Sequence, residues 1–251
     1  MAGRPRPGRG LSSRRLLLAG GTLVAAGALQ AAPLLTFVPR LKPLWPDLNG
    51  RGRPGHLALT FDDGPDPWST PRFLDRLADL DVRATFFLLG EMAQRHPGLA
   101  ARILAEGHEV AVHSWDHRNH LRHLPGRQTS DQLERTADLL AAQTGVAPRY
   151  WRPPYGSLTT AGVVAARSLG LQTVLWTAWG RDWRREATAA TVLADVTAGV
   201  LDGGTVLLHD SDCTSEPGAW RSTYAALPAL VEWCSAAGLQ VGPLGDHGLA
   251  A

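Results

Sequence analysis

From His56 onward, short apolar runs alternate with stretches of helical periodicity, and this alternation constrains the fold more than any other feature. Strand candidates lie at 56–61, 84–89, 108–112, 150–152, 172–176, 204–208 and 239–242. Between them are helix candidates with recognisable ends. Ser69 and Thr70 precede Pro71, a cap followed by proline at the first helical position. Phe73, Leu74, Leu77 and Leu80 then recur at helical spacing. Gly107 and Gly170 follow helices ending near Glu106 and Leu169, where a left-handed residue closes the last turn. Strands alternating with helices imply an α/β protein with a mostly parallel sheet covered by helices. Seven strands are too few for a regular eight-stranded barrel. The expectation is an irregular (β/α)7-type barrel, with its chemistry in the loops after the C-terminal ends of the strands.

The formal net charge of +2 conceals an uneven distribution. Arg4, Arg6, Arg9, Arg14, Arg15, Arg40, Lys42, Arg51 and Arg53 all precede residue 55, against one acid, Asp47. The remaining chain carries 16 basic and 22 acidic residues. A nucleic-acid binder concentrates basic charge on its folded face, so nucleic acid is not an expected partner. Residues 1–15 are basic and acid-free, and Leu16 to Val38 carry no charge. That layout is an export signal or a membrane anchor. Small residues at Ala26-Gly27-Ala28 and Leu29-Gln30-Ala31 offer cleavage sites, yet 23 uncharged residues also suffice to span a bilayer. The pair Arg14-Arg15 ahead of Leu16 resembles a twin-arginine signal. Residues 39–55, rich in proline and glycine, read as a linker to a domain at 56–251. The expected location is outside the cytoplasmic membrane, with the membrane itself a partner if the segment is not cut; monomer is the default state. Cys213 and Cys234 can pair once or remain as two thiols.

The reactive residues fall at the expected strand ends. After the first strand comes Asp62-Asp63-Gly64-Pro65, and two adjacent carboxylates there can take different jobs, because side chains alternate along a strand. After the third comes His113-Ser114-Trp115-Asp116-His117, whose two histidines share a face if the segment turns helically. Imidazole and carboxylate together suit Zn²⁺ or another divalent transition metal in a site with an open position. Arg152-Pro153-Pro154-Tyr155-Gly156 follows the fourth strand, and Leu207-Leu208-His209-Asp210 closes the sixth. His120 and His123 read as loop residues, since three protein ligands already leave the open position. Cys213, four residues after His209, reads as a loop thiol or half of a disulfide.

These motifs, in this order, resemble the polysaccharide deacetylase, or NodB-homology, family of carbohydrate esterases over about residues 55–245. The resemblance implies that Asp63, His113 and His117 hold the metal and that Asp62 is the general base, paired with Arg152. It implies the Tyr155 backbone N–H as the oxyanion donor, His209 as the general acid and Leu207 as part of the acetyl pocket. It further implies that Asp182 tunes this histidine and that Trp183 walls the pocket. Trp179 stands where the family often has an aspartate, which leaves the shape of the sugar subsite open. The implied activity is metal-dependent removal of N-acetyl groups from N-acetylhexosamine units of a polysaccharide such as peptidoglycan or chitin. Two other functions fit the same fold: a wall-binding protein without catalysis, and an amidohydrolase acting on another acyl or amide substrate.

Overall fold

The computed structural model describes residues 48–123, 127–200 and 202–249, and in addition Gly27, Ala28, residues 30–38 and Leu44. Most of the charge-free segment 16–38 lies outside the described residues; Ala32–Phe37 forms a 3-10 turn. Among the described residues, no helix is long and apolar enough to cross a membrane.

Eight strands follow in order: β1 His56–Asp62, β2 Thr85–Leu89, β3 Glu109–Ser114, β4 Tyr150–Trp151, β5 Gln172–Thr173, β6 Ala178–Trp179, β7 Thr205–His209 and β8 Gln240–Gly242. Among the described residues, seven helices lie between them: α1 Thr70–Asp79, α2 Gly90–Arg95, α3 Leu99–Ala105, α4 Gln128–Thr144, α5 Thr160–Ser168, α6 Ala189–Gly199 and α7 Trp220–Ala236. Every strand pair is parallel, in the order β5-β4-β3-β2-β1-β7-β6, with β8 against the start of β1. The two ends of this path, β5 and β6, are consecutive in the chain but do not pair with each other. The sheet therefore curls towards a barrel and stays open as expected, although eight strands rather than the expected seven lie among the described residues; the opening is the unpaired edge between β5 and β6. One expected strand, 172–176, is cut short at Thr173, and β6 was not anticipated. Two residues of strand carry too little pattern for periodicity to register them.

All seven residues of β1 are buried, as befits a strand with neighbours on both edges and helices on its faces. Phe61 sits between Phe73 of α1 and Phe86 of β2, at ring separations of 5.2 and 5.1 Å. Of the expected stripe on α1, Phe73, Leu74 and Leu77 are fully buried, while Leu80 is the C-cap and only partly buried; Pro71 occupies the first turn. Ser69 does not cap that helix; its hydroxyl donates to Asp66 Oδ1 at 2.9 Å, in a turn closed by the same carboxylate. Gly107 and Gly170 have the positive φ expected of them.

Part of the stretch expected as a linker is bound to the domain. Leu175 N donates to Leu48 O, Thr205 Oγ1 to Gly50 O, and Arg53 N to His247 O. Backbone groups that close to the sheet must be paired, and pairing ties them down. Beneath the same end of the sheet, His56 and His247 are fully buried with their Nδ1 atoms 2.8 Å apart, and His247 Nε2 lies 3.1 Å from Gly50 O. One ring must donate and the other accept, so the two cannot both be cations. Burial pushes His56 down to about 4, helped by His247 and Arg53 and opposed by Asp246. Burial likewise lowers His247, His108 to about 4 and His120 to about 3.

Two outcomes follow from this packing. Phe61→Ala should destabilise the domain by about 3–5 kcal/mol in denaturant unfolding, because it leaves a cavity between two rings. These histidines titrate near 6.5 once unfolded, so between pH 6.5 and about 4 the unfolded chain binds more protons than the folded one. Unfolding free energy should therefore fall steadily as pH drops through that window. A urea midpoint that is flat from pH 7 to pH 4.5 would contradict neutral burial.

Candidate active site

The C-terminal ends of β1, β3, β4, β6 and β7 converge on one cavity of about 240 Å³, lined by Asp62, His113, His117, Tyr155, Leu207 and His209 among others. Parallel register does the convergence: Asp62 pairs with His209 across β1 and β7, and Trp179 with Leu207 across β6 and β7.

The two adjacent aspartates part company where the strand stops. Asp62 is its last residue and points to Arg152. Asp63 takes φ 78°, a left-handed conformation that costs free energy for a non-glycine residue, and its carboxylate turns to the histidines. The next residue must be glycine on packing grounds, since a Cβ on Gly64 would sit 2.7 Å from the carboxylate oxygens of Asp210. Asp210 is fully buried, accepts from Thr70 Oγ1 at 2.5 Å, and is pushed by burial up to about 7.

Asp63 Oδ1 lies 3.4 Å from His113 Nε2 and 3.3 Å from His117 Nε2. The donor atoms of all three residues fall within 4.8 Å of one another. Metal–ligand bonds of ~2.0–2.1 Å at tetrahedral angles place neighbouring donors roughly 3.3–3.4 Å apart, so the spacing fits a small divalent cation. Two further observations agree. Asp63 Oδ1 is buried without a hydrogen-bond partner. His113 Nδ1 is 2.8 Å from Arg152 O, which makes Nδ1 the N–H donor and leaves Nε2 as a lone-pair donor facing Asp63. Burial opposes ionisation of Asp63, but the imidazoles of His113, His117 and His209 around it outweigh that penalty and hold the carboxyl well below the usual range. Burial lowers His117 to about 4, in keeping with a neutral ligand. The two imidazoles meet although 113–117 does not turn helically, the condition under which the spacing alone would put them on one face. His113 is in β3, and the chain bends after Ser114 to bring the His117 ring centroid within 5.2 Å.

On one side of this cluster stands Asp62. Arg152, fully buried, donates from Nη1 to Asp62 Oδ1 at 2.7 Å and to Thr60 Oγ1 at 2.8 Å. Its remaining donors reach Val174 O and Leu175 O. Asp62 Oδ2 stays on the histidine side, 3.9 Å from His113 Nε2. On the other side stands His209. Its Nδ1 is 2.8 Å from Asp182 Oδ1, and its backbone N donates to Asp182 Oδ2 at 2.7 Å. Thr223 of α7 donates to the same Oδ2. Burial disfavours the imidazolium, but Asp182, then Asp63 and Asp62, push His209 up to about 10. Its Nε2 faces the cluster, 4.0 Å from Asp63 Oδ2.

Leu207 is buried at the cavity wall, and Trp176, Trp179 and Trp183 complete it, with successive ring separations of 5.8 and 5.2 Å. Trp183 and His209 meet edge to face, with ring centroids 5.7 Å apart. Tyr155 lies at the mouth with φ 57° and its ring 4.4 Å from His117. The structure thus brings together Asp62, Asp63, His113, His117, Arg152, Tyr155, Asp182, Trp183, Leu207 and His209 around one cavity. His120 and His123 are buried behind the cluster: His120 Nε2 lies 3.0 Å from Ser114 Oγ and its ring stacks on Trp151. Cys213 and Cys234 are both free thiols. Sequence reasoning missed Thr60, Thr70, Thr214 and Thr223, whose hydroxyls hold the site's carboxylates and the Arg152 guanidinium. A lone threonine carries no motif by which to find it.

Comparison with known proteins gives the same picture from outside. The family profile described as Polysaccharide deacetylase matches residues 49–174, which include Asp62, Asp63, His113, His117, Arg152 and Tyr155. The chain is similar to a peptidoglycan-N-acetylglucosamine deacetylase of Listeria monocytogenes serotype 1/2a (strain 10403S), 41% identical over 154 residues, 61% of this chain and 32% of that protein. It is also similar to a chitooligosaccharide deacetylase of Bradyrhizobium sp. (strain ANU 289), 36% identical over 68% of this chain and 83% of that one. The matched region thus spans about a third of the Listeria protein but most of the Bradyrhizobium one. The crystal structure of the Bc1960 peptidoglycan N-acetylglucosamine deacetylase superimposes with a TM-score of 0.73 at 30% identity, over 80% of this chain and 92% of that chain. With half of its length matched by the profile and a curled parallel sheet of the same kind, this chain belongs to the polysaccharide deacetylase family.

Proposed function

We propose that this protein is an exported, metal-dependent hydrolase that removes N-acetyl groups from N-acetylhexosamine residues of a cell-wall or chitin-like polysaccharide. One observation carries the proposal: a carboxylate held by arginine and an imidazole held by carboxylate face each other across the Asp63–His113–His117 cluster. The relatives named above are deacetylases of peptidoglycan and of chitooligosaccharides, which supports the substrate class.

Asp63, His113 and His117 would hold the cation, for which zinc suits the ligand set. Bound there, it would polarise the acetyl carbonyl and acidify a water molecule. Asp62 takes the proton of the attacking water on Oδ2, while Arg152 on Oδ1 keeps the carboxylate oriented. The Tyr155 N–H donates to the oxygen on which negative charge develops. His209, held cationic by Asp182, protonates the nitrogen as the C–N bond breaks, giving acetate and a free amine. Leu207 and Trp183 enclose the methyl group of the acetyl moiety. The basic N-terminus and the charge-free segment after it support export; cell fractionation that finds the protein in the cytosol would refute that part.

Chelator-treated protein should release almost no acetate from peptidoglycan or chitin oligomers, and zinc should restore release. Asp62→Asn and His209→Ala should each lower kcat by about 10²–10⁴-fold, with thermal stability measured alongside to show that the variants fold. Acetate measured on peptidoglycan, chitin oligomers and acetylated xylan separates the substrates. Tight glycan binding by the zinc-loaded protein with no acetate released would favour a wall-binding role. Activity confined to small soluble amides would favour an amidohydrolase.

A further inference from the structure

The loop between β7 and α7 reaches back over the cation cluster. Thr214 lines the cavity, and its Oγ1 donates to Asp63 Oδ2 at 2.5 Å. The neighbouring Cys213 Sγ donates to the Asp63 backbone O at 3.3 Å. Both contacts close on a residue whose backbone is strained at φ 78°. Neither partner is near Asp63 in sequence; the separations are 150 and 151 residues.

A carboxylate can present either oxygen, or both, to a cation. In this site the oxygens are divided. Oδ1 is buried, has no protein partner, and faces the Nε2 atoms of His113 and His117. Oδ2 takes the Thr214 hydroxyl and lies 4.0 Å from His209 Nε2. Without Thr214, the carboxylate is free to rotate, and His209 becomes its nearest competing partner. Resting on the metal-binding role given to Asp63, we propose that Thr214 is a positioning residue: it locks Asp63 as a one-oxygen ligand and so sets the affinity of the site for its cation. Cys213, through the carbonyl of Asp63, holds the turn that this orientation needs. Groups in this supporting position typically change metal affinity by about 10–100-fold when lost.

The test is zinc affinity, read by competition with a chromophoric chelator, in the wild-type protein, Thr214→Val and Thr214→Ser. The metal-free Tm of each is recorded in parallel. Valine keeps the shape and removes the hydroxyl; serine keeps the hydroxyl. Thr214→Val should bind zinc about 10–100-fold more weakly with little change in Tm, and Thr214→Ser should recover most of the loss. Wild-type affinity in Thr214→Val, tighter binding there because Oδ2 joins the site, or a serine variant no better than valine would each overturn the role of Thr214 alone. A loss of affinity that merely follows a loss of Tm would do the same. No zinc uptake by the wild-type protein would overturn the metal-binding role of Asp63, and the proposal with it.

Discussion

The site is built around one buried guanidinium. Arg152 has no solvent exposure, and its donors reach Asp62 and Thr60 of β1 and the carbonyls of Val174 and Leu175 beyond β5. Its own carbonyl oxygen meets His113 Nδ1. One residue therefore orients a carboxylate, sets which nitrogen of an imidazole faces the cation cluster, and bridges the open part of the sheet. Burial penalises its charge, and Asp62 offsets part of that penalty. Removing one partner of such a pair leaves an uncompensated charge in the interior, at a cost of about 3–5 kcal/mol. The same low dielectric makes the surviving interaction strong and geometrically strict.

Across the cavity the arrangement is mirrored in charge. Asp62 is a carboxylate held by a cation, and His209 is an imidazole held by the carboxylate of Asp182. The first keeps a proton acceptor in place and the second favours a proton donor. Asp63 sits between them with its own carboxylate well below its ordinary titration range. Hydroxyls from Thr60, Thr214 and Thr223 fill hydrogen-bonding positions around these charged groups, so that each is restrained on more than one side. That redundancy is what allows a strained Asp63 to persist at the end of β1.

The wall facing these charges is aromatic. Trp176, Trp179 and Trp183 run along it, from the neighbourhood of Arg152 to the His209 ring. Trp179 gives the cavity a flat apolar surface at the middle of this wall. Flat rings suit the apolar faces of sugars. The guanidinium of Arg181 lies over the Trp179 ring at 5.3 Å.

Much of this was legible in the chain itself, because it is local. Apolar runs separated by helical periods set the parallel α/β architecture, and Asp62-Asp63, His113, His117, Arg152 and His209 stood at strand ends where such folds carry chemistry. Other features depended on distance through space. The two-residue strand β6, the bend that unites His113 with His117 without a helix, and the tethering of residues 48–53 follow from packing against remote neighbours. So does the contact of Thr214 with Asp63, whose partners are 151 residues apart. The sequence by itself determined which chemical groups the domain carries and on which end of the sheet they lie, because strand alternation and strand ends are local properties. Only the tertiary structure decided which oxygen of each carboxylate meets which partner, because that choice rests on parallel register and on the curl that brings separate loops over one cavity.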